Sequence, residues 1–266
     1  MVSASRPAIL SVRQLTVRFG GIVALEDVAF DVAEGHVVGL IGPNGAGKTT
    51  LFNCLSRIYT PDRGDIRFRD RSLLAVPAHR IADLGLGRTF QNLALFPTMT
   101  VRQNVMVGVH CRTRGDFFSN AVGLPWVSHE ERRMRRDADE LLAFLRLEAV
   151  ADHPAAGLPY GTLKRVELAR ALAGRPALLL ADEPAAGLNH EEVSALRAIL
   201  KSIRDERGVT ILLVEHHMGL VMQVSDRVVV LDFGRKIAEG APAEIQRNPD
   251  VIRAYLGGED TEAAVR

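Results

Sequence analysis

Apolar and polar positions along this chain follow two different periods. Apolar runs of four to six residues, interrupted only by Gly39 and Thr210, recur at Val37-Val38-Gly39-Leu40-Ile41, Ala177 to Ala181, Val209 to Val214 and Val228 to Leu231. Runs of this kind fit strands buried on both faces. Shorter, β-branched or alternating stretches at Ile9–Val12, Leu15–Phe19 and Val28–Val32, broken by Gly20-Gly21 and Glu34-Gly35, predict an antiparallel sheet near the N-terminus. After a turn at Tyr59–Gly64, Asp65–Phe68 alternates as an exposed edge strand would.

Between the strands the period becomes helical. Leu51, Phe52 and Leu55 share one face. Thr100–Val109 reads as a helix capped by Thr100, and Ser128–Leu147 as one capped by Ser128 with Glu131 completing a capping box. On the latter, Met134, Ala138, Leu141, Leu142 and Leu145 make the apolar face, and the charges of 130–136 the solvated one. Val166–Ala173 is helical and stops at Gly174-x-Pro176, Glu191–Arg207 is an amphipathic helix, and Ala78–Leu84 is a short helix stopped at Gly85. Residues 110–128 are irregular, with Phe117, Phe118 and Trp126 in a loose insert or a contact patch. Residues 258–266 read as a disordered polar tail. Strands alternating with helices predict an α/β fold with a parallel sheet.

The chemistry gathers where the apolar strands end. Val37–Ile41 leads into Gly42-Pro43-Asn44-Gly45-Ala46-Gly47-Lys48-Thr49, which fits G-x-x-x-x-G-K-[ST], and Thr50 continues into a helix. The glycines let successive N–H groups turn toward phosphate oxygens. Lys48 adds charge for the β- and γ-phosphates, Thr49 a hydroxyl for Mg²⁺, and the helix start its positive end. This predicts nucleotide binding. The strand 177–181 delivers Asp182 and Glu183. Buried carboxylates are costly unless paired or metal-bound. Beside a phosphate loop, Asp182 would hold Mg²⁺ directly or through water, and Glu183 would orient and deprotonate an attacking water; otherwise both acids merely solvate a strand end. The strand 209–214 ends at Glu215-His216-His217. His216 is either a satisfied histidine or a ligand group at a strand's C-terminal edge. Phe19 is either a packed aromatic or a platform for adenine, and Gln91, from its neighbours alone, is a solvated loop glutamine.

The 266 residues suit one large domain, expected to span 8–257. A net charge of +1 makes no case for nucleic-acid binding. No apolar run reaches the length of a membrane span, and Met1–Pro7 lacks an apolar core of the secretory-signal kind. Cys54 and Cys111 have neither metal-ligand nor disulfide-framework spacing, so both read as free thiols in a reducing compartment.

The ordered set of phosphate loop, Gln91, Leu158-Pro159-Tyr160-Gly161, Asp182-Glu183, Gly187-Leu188-Asn189 and His216 resembles the ATP-binding subunits of ABC transporters. The resemblance implies a RecA-like P-loop NTPase core, an antiparallel β-subdomain and an α-helical subdomain near 98–165. It makes Phe19 the adenine platform, Gln91 the residue that touches Mg²⁺ and water and senses a membrane partner, and His216 the contact to the γ-phosphate. Two such domains would close head to tail on two ATP molecules, with Tyr160 and Gly161 acting on the partner's nucleotide. A groove near Gln91–Pro97 would receive the membrane subunit.

Two departures stand out. Pro159, Tyr160 and Thr162 replace the serine, first glycine and glutamine of the usual Leu-Ser-Gly-Gly-Gln, and Asn189 replaces an aspartate. Within the family, Arg88-Thr89-Phe90-Gln91-Asn92, the insert, Asp182–Asn189 and the ending Pro249–Gly257 resemble the branched-chain amino acid importers of bacteria, although His217 stands where an aspartate is usual. That resemblance implies a second ATPase subunit, two membrane permease subunits, a periplasmic binding protein and a peripheral position on the cytoplasmic face of the membrane. The same engine serving urea, amides or lipopolysaccharide extraction is the alternative. A soluble ABC protein of ribosomes or DNA is disfavoured by the single cassette and absent basic surplus, and a kinase or GTPase by His216 and the signature-like segment.

Overall fold

The computed structural model describes the backbone of residues 7–90, 93–109 and 125–255, and the side chains of all of these except 125–131. Two sheets organise it. A four-stranded antiparallel sheet has the order β2–β1–β4–β5, from β1 (Ala8–Phe19), β2 (Ile22–Ala33), β4 (Arg63–Phe68) and β5 (Arg71–Ser72). A six-stranded sheet has the order β10–β9–β3–β8–β7–β6. Its members are β3 (Val37–Ile41), β6 (Leu86–Arg88), β7 (Leu178–Asp182), β8 (Thr210–Val214), β9 (Arg227–Asp232) and β10 (Arg235–Gly240). All its pairings are parallel except the edge strand β10.

The apolar runs are buried on both faces, and their residues alternate between cores. Val38, Leu40, Leu178, Leu180, Leu212 and Val214 join the core shared with α1 (Lys48–Leu55) and the antiparallel sheet. Val37, Leu179, Ala181, Ile211 and Leu213 face the opposite way, onto a second core. There they meet α2 (Val101–Val109), α3 (Pro125–Phe144), α4 (Tyr160–Ala173) and α5 (His190–Arg207). The apolar face expected on α3 packs inward, with Ala138, Leu141 and Leu142 buried, Met134 partly so and Leu145 buried just past the helix end, while Arg132, Arg133, Arg135 and Arg136 stay exposed.

Several boundaries differ from the sequence reading. Ile9–Val12 and Leu15–Phe19 are one strand, with a register shift around Gln14, whose φ of 46° is left-handed. Asp65–Phe68 is not the edge, since two-residue β5 pairs with its outer side. Residues 78–84 form two single 3₁₀ turns, Ala78–Arg80 and Ala82–Leu84, rather than a helix, and Gly85 ends them at φ 94°. Helix α3 is described over Pro125–Phe144 and so already includes the three residues before Ser128. It also ends at Phe144, short of Leu147, with Arg146 left-handed at φ 56°. Helix α4 begins at Tyr160, six residues before the apolar period becomes visible. Thr162 N and Leu163 N turn back to Pro159 O at 2.9 and 3.0 Å, and none of residues 160–163 is buried. The capping by Thr100 is reciprocal: Gln103 N donates to Thr100 Oγ1 and Thr100 N to Gln103 Oε1. The insert's Phe117, Phe118 and Cys111, and the tail 258–266, lie outside the described residues.

Asn189 caps α5. Its Oδ1 accepts from Glu192 N at 3.0 Å, and Glu192 Oε2 accepts from Asn189 N at 2.9 Å. Asparagine and aspartate cap equally well, so the departure at this position leaves the helix start intact. Asn189→Ala should lower the unfolding free energy by about 1 kcal/mol, measured as a shift in denaturant midpoint at unchanged slope.

Candidate functional site

Parallel strands β3, β8 and β7 lie side by side, so the segments that follow them, 42–47, 183–187 and 215–217, emerge at one edge of the sheet. The loop after β3 needs its glycines for space. A Cβ on Gly42 would stand 2.1 Å from Leu231 O, and one on Gly47 2.7 Å from Ala24 O, with Gly47 at φ 97°. Gly234 N donates to Ala46 O at 3.1 Å, which ties the β9–β10 turn to the same loop.

One cavity, about 530 Å³, is lined by Asn44 to Thr50, by Glu183 and His216, and by apolar Ile22, Val23 and Phe233. Lys48 is buried and folds back, its Nζ donating to Gly42 O at 2.6 Å and Pro43 O at 2.8 Å. Burial lowers its pKa, while the nearby Glu183 charge works the other way. Glu183 sits in the left-handed region at φ 46°, and its Oε1 is 2.7 Å from His216 Nε2. A non-glycine residue in that region is uncommon and strained. Asp182 is buried behind the cavity. Its Oδ2 pairs with Arg88 Nη2 at 2.9 Å, and its backbone N donates to Thr89 Oγ1 at 3.1 Å. Burial raises its pKa, against the pull of the Arg88 guanidinium.

The expected site residues do not all meet there. Phe19 is half exposed at the end of β1 and packs edge-to-face on Tyr59, with ring centroids 5.2 Å apart, outside the cavity lining. Tyr160 and Gly161 belong to a separate region. A Cβ on Gly187 would stand 2.9 Å from the Tyr160 ring, and one on Gly161 2.3 Å from Glu192 Oε1. Gln91 lies outside the described residues.

The loop's bare backbone, a buried lysine and adjacent acids suit a nucleoside triphosphate and Mg²⁺ in donor chemistry. Thr49 and Asp182 are hard oxygen donors of the type magnesium prefers. Among the described residues no group of three His, Cys, Asp or Glu gathers as a metal cage. Magnesium at phosphate sites keeps waters and phosphate oxygens as ligands, so no such cage is required.

Four contributors escaped the sequence reading. Arg88 also donates through Nη1 to Asn53 Oδ1 at 3.0 Å and Ser56 Oγ at 2.8 Å, joining the end of α1 to β7. Its guanidinium lies 5.4 Å from the centroid of the Phe90 ring. Glu167, buried on α4, accepts Phe90 N at 3.0 Å. Glu215 is buried between the post-β7 and post-β8 segments, and Phe233 tips an exposed turn over the loop. A sequence signal existed for Glu215: an acid directly follows a five-residue apolar strand, as Asp182 follows its own. Arg88 and Glu167 carry no such mark.

Comparison with known proteins adds the following. The family model "ABC transporter" matches residues 25–186, and the model "Branched-chain amino acid ATP-binding cassette transporter" matches 235–261. The chain is 45% identical over 253 residues to the high-affinity branched-chain amino acid transport ATP-binding protein BraF of Pseudomonas aeruginosa, covering 95% of this chain and 99% of that one. Among solved structures, it is similar to the ADP conformation of an ATP-binding cassette of an ABC transporter, at 29% identity and TM-score 0.82, covering 94% and 99% of the two chains. It is also similar to a dimeric cassette in a post-hydrolysis state with ADP and Pi, at 26% identity and TM-score 0.74, covering 88% and 98%.

Burial raises the pKa of Glu167, opposed by the Phe90 N–H, Lys164 and Arg170 and assisted by Asp182. With the folded pKa above the ordinary 4.5, the folded state holds its proton longer than the unfolded state. Its contribution to stability therefore falls as pH rises above the ordinary carboxylate range. Glu167→Gln, whose amide oxygen can still accept Phe90 N–H, should gain thermal stability relative to the parent as pH rises above about 4.5. Parallel melting curves over that rise check the direction.

Proposed function

The chain belongs to the ABC transporter family of ATP-binding subunits, and from that premise we propose that it powers uptake of branched-chain amino acids through separate membrane subunits. The observation that carries the catalytic half of this reading is the single cavity shared by Lys48, Thr49, Glu183 and His216, which come from segments after three different strands.

The proposed roles of the loop, Glu183 and His216 follow from their shared cavity, and those of Phe19, Gln91 and Asp182 from the resemblance to the family. The loop N–H groups and Lys48 bind the triphosphate. Thr49, Asp182 and Gln91 would hold Mg²⁺, which would supply charge neutralisation on the phosphates. Glu183 takes the proton of the attacking water, and His216 orients that carboxylate and reaches the terminal phosphate. Phe19 takes the adenine. Tyr160 and Gly161, at the start of α4, serve the nucleotide of a second ATPase subunit in a head-to-tail dimer, which agrees with their distance from this chain's own cavity lining.

The membrane side is a groove of about 440 Å³, in which half-exposed Phe90 and Phe96 stand with Leu86, Val107 and Pro176. Exposed aromatics in a concave, partly apolar groove suit an inserted helix of a partner. Among the described residues no helix is long and apolar enough to cross a membrane. By the resemblance to importer ATPases, the subunit is read as peripheral, docked on two permease subunits at the cytoplasmic face and acting only indirectly with a periplasmic binding protein. The net charge of +1 makes no case for a nucleic-acid partner. The cargo assignment rests on the match of residues 235–261 and on the relatives' names.

Lys48→Ala should abolish ATP binding, read by calorimetry. Glu183→Gln should keep ATP binding while turnover falls by about 100-fold or more; equal turnover would remove Glu183 as the base. In the reconstituted transporter, ATPase activity should rise with a leucine-loaded binding protein and not with a urea-loaded one.

A further inference from the structure

Glu215 is 3% exposed, and its hydrogen-bond partners are backbone N–H groups from two different loops. Oε1 accepts Ala185 N at 2.5 Å, and Oε2 accepts His216 N at 3.1 Å and His217 N at 3.3 Å. Burial raises its pKa, and the three N–H groups oppose the rise. A neutral side chain of the same size would avoid the desolvation cost of a buried carboxylate, so packing alone does not account for the acid.

What the carboxylate holds is the frame around Glu183. Glu183 N donates to Val214 O at 2.9 Å, and two residues later Ala185 N donates to Glu215. The left-handed Glu183 thus lies between two bonds that both lead to the end of β8. On the other side, His217 Nδ1 accepts Leu220 N at 3.1 Å and caps α6 (Met218–Val224), so His216 stands between the Glu215 bonds and a helix start. Both partners of the 2.7 Å Glu183–His216 contact are therefore referenced to one buried side chain.

We propose that Glu215 is a positioning residue for ATP hydrolysis: by bonding both loops, it sets the distance between Glu183 and His216. The proposal rests on the reading of those two residues given above. Glutamine at this position offers one acceptor oxygen and one NH₂ group, so one loop would meet a donor with its own N–H. Aspartate keeps the charge but is one methylene too short to reach both loops.

The test uses the full chain and two readouts. First, NMR of the His216 ring in nucleotide-free protein is compared among the parent, Glu183→Gln and Glu215→Gln. The proposal expects Glu215→Gln to move the His216 resonances in the direction that Glu183→Gln does; unmoved resonances overturn it. This readout does not depend on turnover, so it separates failure of the inference from failure of the ATPase assignment, which an inactive parent protein would reveal. Second, kcat should fall about 10- to 100-fold with KM for ATP and calorimetric nucleotide affinity little changed. The substitution should add almost nothing in a His216→Ala background. A loss carried in KM, or one that multiplies with His216→Ala, overturns the proposal. Should Glu215→Gln not fold, Glu215→Asp is measured in the same way and judged by the same outcomes.

Discussion

The constraint on which this structure depends is the burial of carboxylates at the C-terminal edge of the parallel sheet. Asp182, Glu167 and Glu215 are all nearly inaccessible to water, and burial raises the pKa of each. A buried charge of that kind persists only with partners of good geometry. Each acid finds a different solution. Asp182 takes the Arg88 guanidinium, Glu167 takes Phe90 N–H, and Glu215 takes three N–H groups. Each solution also joins segments that are remote in sequence.

The joined segments link the groove to the nucleotide cavity. Residues 88–90 bond α1 through Arg88, β7 through Arg88 and Thr89, and α4 through Phe90 N. The ring of Phe90 lies in the groove read as the permease side, while the Arg88 beneath it grips Asp182. Movement of that aromatic would therefore be felt at the acid through two contacts. Cores are close-packed and shift between discrete arrangements rather than deforming continuously, which suits such a short relay.

Much of the fold was legible because its signals are local. Apolar runs almost without polar interruption mark strands covered on both faces, and the four runs all became interior strands of the six-stranded sheet. The phosphate loop was legible because its backbone geometry demands glycine at fixed spacing, as Gly42 and Gly47 show by the atoms a Cβ would strike. Helix α4 was misread at its start because its first turn, residues 160–163, holds no buried residue and carries no apolar period. Edge and interior were confused at Asp65–Phe68 because a two-residue partner strand leaves almost no trace in sequence.

The sequence by itself determined the strand–loop–helix units, the loop that suits phosphate, and the adjacent acids Asp182 and Glu183, since each depends on neighbours along the chain. Only the tertiary structure decided that Arg88 pairs with Asp182, that Glu167 holds Phe90, and that Glu215 spans two loops. These contacts join residues 94, 77 and 30 positions apart. The reason is physical: whether a charged side chain is solvated or must find a buried partner depends on what the folded chain places around it, and that environment has no local signature.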